Sequence, residues 1–386
     1  GGAYYPLDPE RDYARIVLEM GESNAASGRI KLDFAAYQGV SLEDDLRLRD
    51  FTINAMAISL HQPHRLVDPL GGAADLASRR LRACSPASFE NDPLRILRAV
   101  RQAVDYDLSI TPETIHLMRQ ASTHLGQVSM ERIRDELFRI FDGSNPRSAL
   151  EILDRIGVLG SVLPELIAMQ GVEQSPPHIH DVWMHTLEAV NKLSAVLAVL
   201  SAEYDPDTAS NLILGLVSLR LGRFRQKMQE HLADQLNPDR SLRALLYFSA
   251  LYHDSGKPAC RQVDEAQRIR FLGHDQESER LVAFRAGELR LSNQEIERLR
   301  LVFQRLGCGR DGARHADPSR GAGGRARDAL HDRCADGMEF PPAGRVRARA
   351  VGRGGARRKR GAPGGRTAGA CAGPLRGLRG EGQCMR

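Results

Sequence analysis

The sequence predicts an α+β chain, and three observations carry that prediction. Strand-length apolar runs fall within the first 85 of the 386 residues. Apolar residues at three- and four-residue spacing dominate from Asp92 to Val302, and the composition changes abruptly at Phe303. A small β-sheet head, a mostly helical middle and an unfolded tail follow.

In the head, Arg15 to Glu19 and Arg29 to Phe34 alternate or run apolar over strand lengths. Asp44 to Leu60 has a helical pattern, with Leu46, Ile53, Met56 and Ala57 inward. Asp68-Pro-Leu-Gly-Gly72 is a turn cluster, and Arg80 to Cys84 a short strand after it. From Asp92 to about Leu163 the signals are helical. Asp92 is placed to cap a helix whose first residue is Pro93, with Leu94, Leu97, Val100 and Val104 on one face. Met130 to Phe141 and Pro146 to Leu159 repeat the pattern, and Pro176-Pro177 marks a boundary. Helices resume at Val182 to Leu200, Leu242 to Tyr252 and Glu277 to Leu289. A last helix from Asn293 breaks off at Val302 without a cap. The domains expected are a partial head (1–85), a helical neck (86–170), a second helical domain (171–302) and a tail (303–386).

No apolar run approaches the roughly 20 residues of a helical membrane span, so that class is excluded. The chain opens on glycine with no basic-then-apolar leader, which reads as a cytoplasmic protein entered part-way. Six cysteines form no CxxC pair, so neither a disulfide framework nor a zinc ribbon is supported.

The net charge of +5 divides unevenly. Residues 303–386 hold 18 arginines and one lysine against seven acids, a net +12, which leaves −7 for the first 302. The same stretch has 19 of the 36 glycines and is too poor in apolar residues to fold, so it reads as disordered. An Arg/Gly-rich RNA-binding segment is one reading. It lacks interleaved aromatics, Phe340 being the sole aromatic residue after Phe303. The favoured reading is a shifted reading frame, since Arg, Gly, Ala and Pro share GC-rich codons.

Two strings in the head and neck carry chemistry. In Leu48-Arg-Asp-Phe-Thr-Ile-Asn-Ala-Met-Ala57, Asp50 and Asn54 lie four apart, so on a helix they share a face and reach one hydroxylated ligand. Arg49 adds a fork suited to phosphate or ribose oxygens. In Phe89-Glu-Asn-Asp-Pro-Leu-Arg-Ile-Leu-Arg-Ala-Val-Arg101, Asp92 and Arg95 offer an acceptor and a donor, with Arg98 and Arg101 continuing the basic stripe. By spacing alone, the first string is also an amphipathic helix with Asp50 near its N-terminus, and the second a capping Asp92 with an ordinary i,i+3 ion pair.

Together the strings resemble the class II tRNA nucleotidyltransferase and poly(A) polymerase family, of the CCA-adding type, from about residue 4 to residue 302. The order is the family's: a strand ending Leu-Asp-Phe34, RDFTINAMA, Val67-Asp-Pro-Leu-Gly-Gly72, the DPLRILRAVR helix, Ser129-Met-Glu-Arg-Ile-Arg-Asp-Glu-Leu137 and Leu163-Pro-Glu-Leu166. The resemblance implies that Arg49, Asp50 and Asn54 bind ribose and phosphates, and that Asp92 and Arg95, with Arg98 beside them, select the base of ATP or CTP. The helix around Glu131 and Arg134 would support that site. Leu48 stands where the family usually has a second Arg.

The family's transfer to a tRNA or other RNA 3′ end also needs an Asp-x-Asp pair holding Mg2+. That pair belongs upstream of Tyr4, where the chain opens, and adjacent Asp44-Asp45 do not replace it. Asp33, near the end of its strand, is a candidate to approach such metals; without the pair, transfer by this chain is expected to fail. CCA, A-only and CC-only addition are not distinguished, nor is the oligomeric state.

Downstream, His178, His180, Asp181, His185, His253-Asp254 and His274-Asp275 form a second constellation. Lone histidines are usually satisfied core or surface groups. The strings HTL, HDSGKP and GHDQES nevertheless resemble the HD phosphohydrolase superfamily in its form fused to nucleotidyltransferases. That implies a divalent transition metal on His185, His253 and Asp254, with His274 as a phosphate or second-metal contact. Two alternatives to nucleotidyl transfer therefore stand: a metal-dependent phosphohydrolase acting on cyclic or terminal phosphates, and a non-catalytic RNA- or nucleotide-binding fragment.

Overall fold

The structure is a computed structural model, and it describes residues 2–8, 13–19, 29–201, 211–237 and 240–311. Residues 312–386, most of the expected tail, lie outside the described residues.

The chain opens on three antiparallel strands in the order β1 (Gly2–Asp8), β2 (Tyr13–Glu19) and β3 (Arg29–Phe34). The register sets Arg15 opposite Asp33 and Ile16 opposite Leu32. Tyr4, Tyr5, Ile30, Leu32 and Phe34 are exposed, so the sheet carries uncovered apolar surface. Sequence alternation foresaw β2 and β3. It missed β1, whose Pro6 weakens a strand reading.

The helix expected from Asp44 to Leu60 is not formed. Helix α1 spans only Leu42–Arg47, capped by the Ser41 hydroxyl. A 3-10 turn follows at Thr52–Asn54, then the hairpin β4 (Ala57–Ser59) and β5 (Gln62–Val67). Phe51 is extended, bridges Ala83 and is fully buried, as is Ala55. Burying a phenyl ring in that extended position outweighs the local helical spacing.

Helix α2 (Gly72–Ala77) starts on the Asp68 carboxylate, which accepts the Gly72 and Ala73 N–H groups. A Cβ on Gly72 would meet the Thr52 carbonyl oxygen at 2.0 Å, so only glycine fits there. The expected strand from Arg80 to Cys84 shortens to β6 (Arg80–Leu81).

Helices α3 (Ser88–Asn91) and α4 (Arg95–Asp105) flank an extended Asp92. Asp92 accepts the Leu94 N–H at 3.3 Å, a local cap of the expected kind, but the helix proper begins two residues after Pro93. Strand β7 (Ser109–Ile110) pairs parallel with β6.

Helices α5 (Pro112–Ala121), α6 (Met130–Phe141) and α7 (Pro146–Arg155) follow. The helix expected from Pro146 to Leu159 divides because Gly157 takes φ +78° and ends it, after which α8 (Leu159–Val162) begins.

Helix α9 (Val182–Ser201) meets expectation. Helices α10 (Leu212–Leu221) and α11 (Arg225–Ala233) do not appear in the sequence reading. Apolar residues surround α10, which leaves no periodicity to detect. The short hairpin β8 (Gln235–Asn237) and β9 (Arg240–Ser241) leads into α12 (Leu242–Tyr252), and β10 (Gln262–Val263) with β11 (Ile269–Arg270) forms another. Helix α13 (His274–Glu288) starts three residues earlier than expected, behind Gly273 at φ +81°.

Helix α14 (Asn293–Asp311) continues past the break expected at Val302. Phe303 is buried one turn beyond the buried Leu299, which extends its apolar face. The helix opens on a capping box, Ser292 and Glu295 each accepting the other's N–H.

Residues 1–316 gather into one compact unit, and a single apolar core runs through it from Phe51 to Phe303. At its centre Phe138, Phe141 and Phe248 pack with ring centroids 5.8–6.0 Å apart. Among the described residues no helix is long and apolar enough to cross a membrane.

Candidate functional site

The turn after α1 carries the first group of expected residues. Asp50 is buried, and its Oδ1 accepts the Phe51 N–H at 2.9 Å and Asn54 Nδ2 at 3.0 Å. Arg98, from α4, sets Nη2 at 2.8 Å from Asp50 Oδ2. Asn54 Nδ2 also reaches Gln102 Oε1 at 3.0 Å. Asp50, Asn54 and Arg98 are thus brought together by direct contact, not by the shared helix face expected from their spacing. Arg49 points elsewhere and pairs with Asp45 at 3.0 Å.

This turn is braced from below. Buried Asp75 accepts the Thr52 hydroxyl at 2.8 Å and pairs with Arg82 and Arg80. Helix α2 therefore holds the RDFTIN segment in place.

Arg95 and Asp92 do not form the i,i+3 ion pair that their spacing allows. Arg95 donates instead to the carbonyls of Leu48 (3.1 Å), Arg49 (3.2 Å) and Ser88 (3.3 Å), which fixes its guanidinium. Asp92 pairs with Arg132 of α6 at 2.8 Å. All three residues line an open, polar cleft of about 1100 Å³, together with Tyr37, Gln38 and Asn91. Arg132 lies inside the string read as a supporting helix but was not singled out, because its partner is forty residues away. Arg134, which was, donates to the Arg290 carbonyl at 2.6 Å.

Three carboxylates among the described residues of the head are already held by arginines. Asp33 Oδ1 accepts Arg15 Nε at 2.6 Å and its Oδ2 accepts the Tyr13 hydroxyl at 3.1 Å. The Arg15 hydrogen bond holds Asp33 below the usual carboxylate range. Asp45 and Asp50 are taken by Arg49 and Arg98.

The second cluster forms where α9, α12 and α13 meet. His185 Nε2 and His253 Nε2 lie 3.5 and 3.2 Å from Asp254 Oδ2, and His274 Nε2 lies 3.5 Å from Oδ1. Ligand atoms of His185, His253 and Asp254 all fall within 4.8 Å of one another. His253 Nδ1 faces the Ala250 carbonyl at 2.8 Å and His274 Nδ1 the Phe271 carbonyl at 2.6 Å. A carbonyl only accepts, so Nδ1 carries a proton in each ring and Nε2 is turned toward Asp254.

Burial pushes His185 down to about 4, with Asp254 opposing, so its imidazole is neutral at pH 7. Burial alone would raise the Asp254 carboxyl, but His253, His274 and the Lys257 ammonium hold it well below its ordinary range. Two imidazoles, His185 and His253, and the buried Asp254 carboxylate are a donor set that fits a divalent transition metal. Lys257, absent from the expected set, sits with Nζ 2.7 Å from Asp254 Oδ2 and 2.6 Å from Gln174 Oε1. His178 stacks edge-on to His185 at 5.0 Å, and the adjoining cleft measures about 690 Å³.

Comparison with known proteins bears on the first part of the chain. Residues 14–82 match the poly A polymerase head domain, and residues 107–169 a probable RNA- and SrmB-binding site of polymerase A. The chain is similar to tRNA nucleotidyltransferases. It is 38% identical over 259 residues to a CC-adding tRNA nucleotidyltransferase of Geobacter sulfurreducens, covering 67% of this chain and 51% of that one. It is 33% identical over 305 residues to an A-adding enzyme of Deinococcus radiodurans, covering 77% and 58%. The chain thus spans little more than half the length of these relatives. A solved tRNA-processing enzyme shares the fold with a TM-score of 0.50 and 22% identity, over 80% of this chain and 63% of that one.

Proposed function

We propose that the chain belongs to an RNA 3′-end nucleotidyltransferase, of CCA-adding or poly(A)-adding type, that draws on CTP or ATP. The observation that carries this reading is the polar cleft at the head–neck junction. It sets a carboxylate, Asp92, beside two guanidinium groups, Arg95 from the same string and Arg132 from helix α6.

In this reading Arg95 and Asp92 meet the edge of the base. Arg95 is oriented by three carbonyls and Asp92 by Arg132, so neither has to reorganise when a nucleotide arrives. Asp50, Asn54 and Arg98 hold the ribose, and exposed Arg49 takes phosphate. Residues 1–85 act as head, 86–170 as neck and RNA-holding segment, and 171–302 as an HD-type domain. When bound, magnesium would polarise the triphosphate and activate the RNA hydroxyl. The head carboxylates described above do not supply its ligands. The His–Asp cluster supports a separate metal site, on His185, His253 and Asp254 with His274 beside it.

The reading is tested with tRNA lacking its 3′ end and with labelled CTP and ATP. Binding of ATP or CTP at the cleft is the expected result. Absence of nucleotide binding would overturn the assignment of the cleft.

A further inference from the structure

Leu163-Pro-Glu-Leu166 stands out in the sequence, yet none of its residues enters either cluster. Its glutamate is buried among charges. Glu165 Oε1 accepts Arg285 Nη2 at 2.6 Å, and Arg285 Nε lies 3.1 Å from both carboxylate oxygens. Glu165 Oε2 also accepts the hydroxyl of Tyr252 at 2.9 Å, and that side chain is fully buried. Only 11% of the Glu165 and Arg285 side chains is exposed.

The two partners sit on the helices that carry the His–Asp cluster. Tyr252 is the last residue of α12, directly before His253 and Asp254. Arg285 belongs to α13, whose first residue is His274. A second contact joins these helices on the cluster side. Gly256 donates its N–H to Ser278 Oγ at 2.8 Å, and a Cβ there would meet the His274 carbonyl oxygen at 2.3 Å. Helices α12 and α13 are therefore fixed at two points, backbone contact at Gly256 and the Glu165 carboxylate at the far side. Two fixed points determine the angle between them, and with it the 3.5 Å approach of His274 to Asp254.

We infer that Glu165, a neck residue, is a positioning residue for the metal cluster. It couples metal binding to the neck by holding Tyr252 and Arg285 on one carboxylate. The inference rests on the metal reading proposed above. Outer partners that orient ligands typically change metal affinity by about 10- to 100-fold.

The experiment is calorimetric titration of the full chain with Mn2+ and with Ni2+, in the wild type and three variants. Glu165→Gln is expected to lower affinity at least about tenfold while far-ultraviolet circular dichroism shows the protein folded. Tyr252→Phe, which removes one hydroxyl from an otherwise unchanged ring, is expected to lower it in the same direction by less. Glu295→Gln, which weakens a buried ion pair with Arg240 away from the cluster, is the control for mere destabilisation and should leave affinity within about twofold. Wild-type affinity in both Glu165→Gln and Tyr252→Phe overturns the positioning role. An equal loss in Glu295→Gln overturns it too, since any destabilisation would then suffice. A wild type that binds neither metal contradicts the metal reading itself.

Discussion

The Asp92 carboxylate meets the Arg132 guanidinium at 2.8 Å, joining the loop before α4 to helix α6. Arg95, the neighbour that spacing favours, is spoken for by three backbone carbonyls. The acceptor and the donor proposed to read the base are thus oriented independently of each other.

Replacing Arg132 therefore loosens Asp92 without unfolding the neck. The pair is partly exposed, so Arg132→Ala should change stability by no more than about 1 kcal/mol. Nucleotide selectivity should fall while total affinity changes less. Thermal unfolding and competitive nucleotide binding measure the two effects separately.

The Arg240–Glu295 pair behaves differently because both side chains are buried, with Nε and Oε1 at 2.7 Å. Glu295→Ala leaves the buried guanidinium with only the more distant Asp135, at 3.6 Å, and also removes the capping box of α14, so it should cost about 3 kcal/mol in urea unfolding.

Glu295 also sets a pH dependence. Burial alone would raise its carboxyl, but hydrogen bonds from Arg240 and Ser292 hold it below the ordinary range. A depressed folded value means the stabilisation is fully present above the unfolded value of about 4.3 and is lost as pH falls through the folded one. Stability measured between pH 6 and pH 3 should therefore fall more steeply in the wild type than in Glu295→Gln.

Removing the metal cluster should spare the cleft. His253→Ala with Asp254→Ala deletes two of the three candidate ligands and should abolish bound divalent metal, as measured by elemental analysis. ATP binding at the head–neck cleft should persist. Loss of both together would show that the two sites are not independent.

Much of the fold was legible because it is local. Strand β3 and helix α12 match the sequence reading residue for residue, since alternation and helical spacing declare themselves in short windows. The segment from Asp44 to Leu60 was misread for the same reason. Its apolar spacing is helical, but Phe51 and Ala83 bury each other across 32 residues, a partner no window reveals. At the candidate sites, residue types in fixed order marked Asp92, Arg95, His185, His253, Asp254 and His274. Arg132 goes unmarked because the carboxylate that gives it a role is forty residues away; Lys257 lies three residues after Asp254, inside HDSGKP, and is passed over because that string is read for metal ligands alone.

The most direct test of the account is equilibrium binding of ATP, CTP, GTP and UTP to the chain and to Arg95→Ala. If Asp92 and Arg95 read the base, the wild type should prefer ATP and CTP, and the variant should lose roughly 1–3 kcal/mol of that preference. Equal affinity of the wild type for all four nucleotides, or unchanged preference in Arg95→Ala, would contradict it.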